Sequence, residues 1–393
     1  MKVAFFYDAR IYSDGKDMYS IGFPYEIWQR YLKVFDEIIV CTRQGEKKNQ
    51  TTMYKLSSVP NVSFKFNTAY HSPLQLFTAC EKIKKPIREV VREVDCCIMR
   101  LPSVIGLLAI KTAIAEKKPW AVEVVACSWA VYWEYGNLKG KLFAPYMYYM
   151  NKKYIKKAPY AIYVSQKFLQ TKYPCNGYMA AATDTVISYV NEEVLLQRKA
   201  KIQGLTKKSE ITLGLIGALG VGFKGHNIAI KAVAHLKNKG YNIKLKCLGG
   251  GDASKWQALA TKLGVDKDII FCGVLPGGKA VFNWLDELDI FIMPSLLEGL
   301  PRSMVEAMSR GCPIVGSRVG GIPELIEKKC LTRLKDEKDL AAKIETFIIN
   351  KDFTLYQAER NFNVARQYVK EKTDKVRDSF WCEFKNYVTL ARR

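Results

Sequence analysis

Two glutamates separated by seven residues, Glu298 and Glu306, sit in the segment of this 393-residue chain with the strongest chemical signal, Asp289 to Ile326 (DIFIMPSLLEGLPRSMVEAMSRGCPIVGSRVGGIPELI). An apolar strand ends there at Pro294, and a loop holding Glu298 and Gly299 leads to a helix that starts near Pro301. Ligands of open α/β sheets collect at such strand ends. Proline suits the first helical position, so the free backbone N–H groups in the stretch Leu300 to Ser303, which Pro301 leaves to its neighbours Leu300, Arg302 and Ser303, would face the loop and favour an anion such as a diphosphate. Carboxylates accept hydrogen bonds from sugar and ribose hydroxyls, and with Glu298 in the loop and Glu306 about a turn and a half into the helix the two can reach different parts of one ligand. The plainer alternative makes Glu298 a solvated loop residue and Glu306 a surface helix residue.

Upstream, Leu213 to His226 (LGLIGALGVGFKGH) reads as a strand followed by a glycine-rich loop with one lysine, Lys224, ahead of Gly225 and His226. Close backbone approach plus a point charge suits a diphosphate. Gly250, in the LGGGD run Leu248 to Asp252, and the FCGV run Phe271 to Val274 close two further strands at the same edge. In the first half the candidates are sparser. Gly22, near the start of the first helix, could approach a phosphate, with Gly15 as second choice; ordinary turn glycines are the alternative. After the strand Ala121 to Val125 come Cys127, Trp129, Trp133 and Glu134, and with Glu123 they sit where an acceptor would face the site; core packing is the expected fate of the two tryptophans.

The elements that must position these groups alternate. Val3 to Tyr7, Glu37 to Cys41, Val62 to Phe66, Asp95 to Met99, Ala121 to Val125 and Tyr160 to Val164 read as strands, as do Ile211 to Ile216, Ile243 to Leu248, Ile269 to Cys272, Asp289 to Met293 and Pro313 to Gly316. Helical patterns fill the gaps, the first opening at Phe23-Pro24. Such alternation predicts an α/β fold with doubly wound parallel sheets. The polar stretch Ser188 to Glu210 is the expected junction, giving domains 1–190 and 191–372 and a final helix over 373–393 whose apolar stripe (Val376, Phe380, Trp381, Phe384, Tyr387) would pack back on the first domain.

Composition sets the outer limits. Hydrophobic residues at 49% and charged residues at 25% are those of a globular chain. No apolar run approaches the roughly 20 residues of a membrane span, and the N-terminal run is too short for a signal-peptide core. Eleven scattered cysteines without a C-x-x-C pair point to a reducing, cytoplasmic setting, and the histidines His71, His226 and His235 lie at no metal-ligand spacing, so a protein-ligated zinc site is not expected and no cofactor is assigned. The formal charge of +23 favours anionic partners. It is spread over every segment and accompanies no nucleic-acid motif, which argues against DNA or RNA. Lys139 to Lys157 mixes six lysines with four tyrosines, a composition suited to an interfacial helix on acidic lipid, or to a core-packed helix with a basic outer face.

Together the quoted motifs resemble glycosyltransferase family 4, of the group 1 type. Pro294, Ser295, Glu298, Gly299, Pro301, Glu306, Ala307, Gly311, Pro313, Gly320, Gly321 and Glu324 match its signature position by position, and Leu213 to His226 resembles its glycine-lysine-glycine segment. The resemblance implies a GT-B fold, two facing Rossmann-like domains with the donor cleft between them. It also implies a nucleotide-sugar donor such as a UDP- or GDP-sugar, and retention of anomeric configuration. Glu298 would act on the transferred sugar, Lys224 on the leaving diphosphate and Glu306 on the nucleotide ribose. Gly22, Gly225, Gly250, Gly299, Leu300, Pro301, Arg302 and Ser303 would line the nucleotide-sugar site. The family's usual arginine after the first glycine is replaced by Ala218, and Arg302 either supplies the absent charge or is a solvated helix-start residue. The implied activity is hexosyl transfer to a saccharide or polyprenyl-linked acceptor, in cell-surface polysaccharide or glycolipid assembly, by a cytoplasmic enzyme with peripheral contact at the inner face of the plasma membrane. A nucleotide-sugar epimerase of the same fold and a non-catalytic scaffold subunit are the alternatives.

Overall fold

The computed structural model describes residues 1–45, 54–67, 80–135, 138–188, 190–206 and 209–392. His71 and parts of the polar junction lie outside them. The chain divides into two compact units: Met1–Trp129, Leu142–Ala182 and Asp374–Arg393 form the first, and Ala130–Lys141 with Thr183–Thr373 the second.

In the first unit, β1 (Lys2–Ser13), β3 (Glu37–Gln44), β5 (Val62–Phe66), β6 (Cys96–Leu101), β7 (Trp120–Val124), β8 (Tyr160–Tyr163) and β9 (Tyr178–Ala181) pair in parallel, in the order β5-β3-β1-β6-β7-β8-β9. Side-chain alternation along β1 sends Val3 and Phe5 to one face, where they join Ile38, Val40, Cys96 and Ile98 in a core closed by Trp28, Tyr31, Phe380, Trp381 and Phe384. The last three come from the helix Lys370–Leu390, whose stripe at helical spacing is thereby buried. Beyond Tyr7, β1 runs on for six residues and pairs antiparallel with β2 (Met18–Ser20), which pairs with β4 (Lys55–Leu56). Two- and three-residue strands carry too little periodicity to show in a sequence, and this antiparallel edge departs from the purely parallel expectation.

The second unit holds β10 (Ile211–Ile216), β11 (Ile243–Leu248), β12 (Ile269–Phe271), β13 (Ile290–Met293), β14 (Ile314–Ser317) and β15 (Leu331–Thr332), all parallel, in the order β12-β11-β10-β13-β14-β15. Continuous apolar runs such as Phe291, Ile292 and Met293 are buried throughout, as parallel strands require. The order reverses between β10 and β13, so their C-terminal loops diverge and leave a crevice. That switch point lies beside the two loops carrying Lys224 and Glu298. Arg198 on the helix Glu192–Gly204 is buried beneath this sheet and donates to the carbonyls of Leu285, Leu288 and Arg310. Its charge is therefore structural.

Candidate active site

Backbone hydrogen bonds tie together the loops at the C-terminal edge of the second sheet. Gly217 donates to Leu248 at 2.9 Å, Leu219 to Gly250 at 2.8 Å, Gly249 to Gly273 at 2.7 Å, and Leu296 to Phe223 at 2.7 Å. Three glycines permit approaches no side chain would allow. Gly225 has φ +80°, and a Cβ there would lie 2.1 Å from the carbonyl oxygen of Pro294. Gly320 has φ +59°, and a Cβ would lie 2.1 Å from the carbonyl oxygen of Glu298; Gly321 donates to the carbonyl of Gly299 at 2.7 Å. The paired glycines after β14 thus press directly on the Glu298–Gly299 peptide and set its position.

These contacts bring the predicted lysine and first glutamate together. Lys224 ends the 3₁₀ turn Gly222–Lys224, and its Nζ donates to Glu298 Oε1 at 2.8 Å. Glu298 is buried and Lys224 half-buried, which strengthens the pair relative to an exposed one. Glu306 sits half-buried on the helix Arg302–Ser309, and burial pushes its carboxyl above the usual range while the nearby Arg302 guanidinium pulls it back. Arg302 is exposed, one turn before Glu306, and its visible electrostatic partner is that carboxylate.

Pro301 does not occupy the first helical position. It is the N-cap, extended at φ −74° and ψ 110°, and makes no side-chain cap hydrogen bond. Proline fits because its φ is compatible with either place. Pro24 caps the helix Tyr25–Leu32 in the same way. Among the described residues no side-chain cap closes the first turn after Pro301, so its N–H groups keep their capacity for an anion. Leu300 is buried, Ser303 half-buried, and Gly250 lies on the adjacent β11 loop.

The sequence gives no sign of the partner that His226 acquires. His226 opens the helix His226–Asn238, is fully buried, and stacks on Trp256 with ring centroids 5.4 Å apart. Burial lowers its pKa to about 4, opposed by the backbone at Gly217, although neither ring nitrogen has a hydrogen bond of standard geometry. Trp256 Nε1 donates to the Leu219 carbonyl at 2.8 Å, so this stack braces the loop that carries Ala218.

Gly22 belongs to the first unit. It lines a cavity of about 600 Å³ at the ends of β1 and β3, has no positive φ, and leaves open space where a Cβ would be. Glu123 is not free to meet an acceptor. It is buried, accepts from Tyr31 Oη at 2.6 Å, and pairs with Arg100 at 2.7 Å. The tryptophans expected in the core are instead 37% exposed at Trp129 and 39% at Trp133. Trp129 lies edge-on to Tyr148, and Lys141 sits over the Trp133 ring. Amphipathic rings can rest at a surface when a neighbouring residue covers one face.

The family profile described as Glycosyl transferases group 1 matches residues 210–350, the stretch that carries every loop above except that of Gly22. Protein CapJ of Staphylococcus aureus is 35% identical over 355 residues, covering 90% of this chain and 88% of that protein. The chain belongs to the group 1 glycosyltransferases. The amylovoran biosynthesis glycosyltransferase AmsK of Erwinia amylovora is 38% identical over 128 residues, 30% of this chain and 31% of its own. Among solved structures, sucrose-phosphate synthase from Thermosynechococcus elongatus aligns with TM-score 0.66 at 14% identity, over 95% of this chain and 96% of its own. HepE of Anabaena, in complex with UDP and glucose, aligns with TM-score 0.62 at 17% identity, over 99% of this chain and 98% of its own. The fold is GT-B.

Proposed function

We propose that this glycosyltransferase moves a hexose-type sugar, with retention of configuration, from a nucleoside diphosphate donor to a saccharide or lipid-linked saccharide during assembly of a cell-surface polysaccharide. The observation that carries the reading is the Lys224–Glu298 pair at the switch point of the second sheet, next to a helix start with no side-chain cap. The donor diphosphate takes the place beside Lys224 and the N–H groups after Pro301, and Glu306 accepts from the ribose hydroxyls. Glu298 then faces the transferred sugar.

In this reading the acceptor hydroxyl attacks the anomeric carbon on the face that the diphosphate leaves. The carbon–oxygen bond to the phosphate breaks, a glycosidic bond forms, and the hydroxyl proton passes to the departing phosphate oxygen. Lys224 stabilises the charge that grows on the leaving group, so the step as written needs no metal or further cofactor. A polysaccharide product is favoured by the relatives' descriptions, which name amylovoran and colanic acid biosynthesis. HepE is described with UDP-glucose, which makes UDP-sugars the first donors to test.

A membrane-facing acceptor is favoured by the helix Leu138–Lys157. Among the described residues no helix is long and apolar enough to cross a membrane, but this one exposes Leu142 at 76% and Tyr149 at 64%, with Lys152, Lys153, Lys156 and Lys157 exposed in its last turns. That combination suits peripheral contact with acidic lipid at the cytoplasmic face.

The test is binding and hydrolysis of a panel of UDP-, GDP- and ADP-sugars by the intact protein, Lys224→Ala and Glu306→Ala. One donor bound by the intact protein and weakened in both variants supports the reading. Binding of no donor, or equal binding by all three proteins, overturns it.

A further inference from the structure

The cavity in the first unit contains an arrangement that folding alone does not favour. Arg10 on β1 and Arg43 on β3 are register partners on neighbouring parallel strands, and both line the cavity of about 600 Å³. Adjacent strands lie about 4.8 Å apart and matched positions share a face, so two guanidinium stems are held side by side. Like charges so placed oppose folding. The register of β1 against β3 shifts between Phe6 and Arg10, an irregularity of the kind that re-aims side chains beside functional sites.

Among the described residues one carboxylate shares the cavity wall, and it is already engaged. Asp8 accepts from Val104 N at 2.7 Å, Ile105 N at 2.9 Å and Ser103 Oγ at 3.0 Å, fixing the start of the helix Val104–Ala115. Arg43 acts on that carboxylate as well, and Arg10 stands exposed beside it. Aromatic rings form part of the remaining lining, at Tyr7, Tyr12, Phe23 and Tyr54. Tyr12 and Tyr54 have ring centroids 6.1 Å apart, and Tyr7 lies 5.4 Å from Phe23. Flat faces beside fixed donors suit a sugar ring that carries an acidic group.

We propose that this cavity binds an acidic saccharide, with Arg10 and Arg43 holding its carboxylate or phosphate ester and the tyrosines packing on its ring. As the place of the acceptor, it rests on the transferase reading above. As an anion site, it stands on the arginine pair alone. Guanidinium forks match both groups bidentately, so either source of negative charge satisfies the geometry.

The experiment titrates the full chain, with UDP at saturation to fill the second unit's phosphate-binding loops, against methyl β-glucuronide, glucose 1-phosphate and methyl β-glucoside. The same titrations are run on Arg10→Gln and Arg43→Gln. The expected result is binding of one or both acidic probes at least about tenfold tighter than the neutral glucoside, weakened about tenfold in each variant, with UDP affinity unchanged. The probe that binds tells carboxylate from phosphate. Relief of like-charge repulsion keeps the melting temperature of Arg10→Gln at or above that of the intact protein, whereas a purely structural arginine would lower it. Should Arg43→Gln fail to fold, Arg10→Gln decides, because that side chain is exposed. Equal binding of acidic and neutral probes, unchanged affinity in Arg10→Gln, or no binding of either acidic probe at millimolar concentration overturns the proposal. Failure of UDP to bind sinks the transferase reading and leaves the glucuronide titration as the test of the cavity.

Discussion

Lys224 and Glu298 neutralise one another across 2.8 Å, although they lie 74 residues apart and on loops from different strands. A donor diphosphate therefore competes with Glu298 for the same ammonium group. Removing the carboxylate while keeping its shape frees Lys224 for phosphate. Glu298→Gln is expected to bind UDP up to about tenfold more tightly than the intact protein by calorimetry. The same variant loses about 10²–10³ in kcat for sugar transfer, the scale set by removal of one electrostatic group from a reacting centre. Weaker UDP binding in Glu298→Gln would mean that the pair organises the loop instead of competing for the ligand.

The glycines after β14 have a different role, and it reads out as stability. Gly320→Ala puts a methyl 2.1 Å from the Glu298 carbonyl oxygen in a residue at φ +59°, and Gly225→Ala does the same against Pro294 at φ +80°. Each is expected to cost about 2 kcal/mol or more in urea unfolding, because a left-handed residue and a backbone clash are combined. Gly22→Ala is the control. Its Cβ meets nothing within 4 Å, so stability should hold.

Much of this could be read from residue order, because what positions the site is local. Ile211–Ile216, Ile243–Leu248 and Val62–Phe66 have the expected bounds, since unbroken or alternating apolar runs of that length have few other solutions. The glycine-rich loops and the EGLP turn follow strand ends in one dimension as they do in three. What stayed hidden depends on register and distance. The Arg10–Arg43 pairing requires the shift between Phe6 and Arg10, which no spacing encodes, and the Lys224–Glu298 bond requires the strand order β10-β13. The exposure of Trp129 and Trp133 stays hidden for another reason: hydropathy ranks tryptophan as core material, while its ring can also rest edge-on to a tyrosine or beneath a lysine.

His226 makes stability depend on pH in a predictable direction. Its folded pKa of about 4 lies below the ordinary value of 6.5, so below about pH 6.5 the unfolded chain takes up a proton that the folded chain refuses. Stability is lost as pH falls from 6.5 through 4. At pH 5 the loss is about 2 kcal/mol from this group. His226→Phe retains a ring against Trp256 and removes the titration. The stability difference between the two proteins in urea should therefore shift in the variant's favour between pH 7.5 and pH 5, by about 2 kcal/mol. A difference independent of pH would show that the imidazole takes up its proton as readily in the folded chain as in the unfolded one.

The helix Leu138–Lys157 allows a last prediction, because its outward face changes character along its length. Leu142, Tyr146 and Tyr149 lie within one stripe at helical spacing, and Lys153 and Lys156 continue the same stripe into the final turns. An apolar section alone would invite self-association, but four neighbouring lysines on a chain of charge +23 repel a second copy and attract an anionic surface. The protein is accordingly expected to co-sediment with phosphatidylglycerol vesicles and not with phosphatidylcholine vesicles. Each lysine near such a surface contributes about 1 kcal/mol, so the double substitution Lys153→Glu and Lys156→Glu should reduce partitioning by at least about tenfold. Leu142→Glu should reduce it without changing the salt dependence, because it removes insertion and leaves the lysines in place. Binding that ignores lipid charge, or that survives the double lysine substitution, would move the contact elsewhere on the chain.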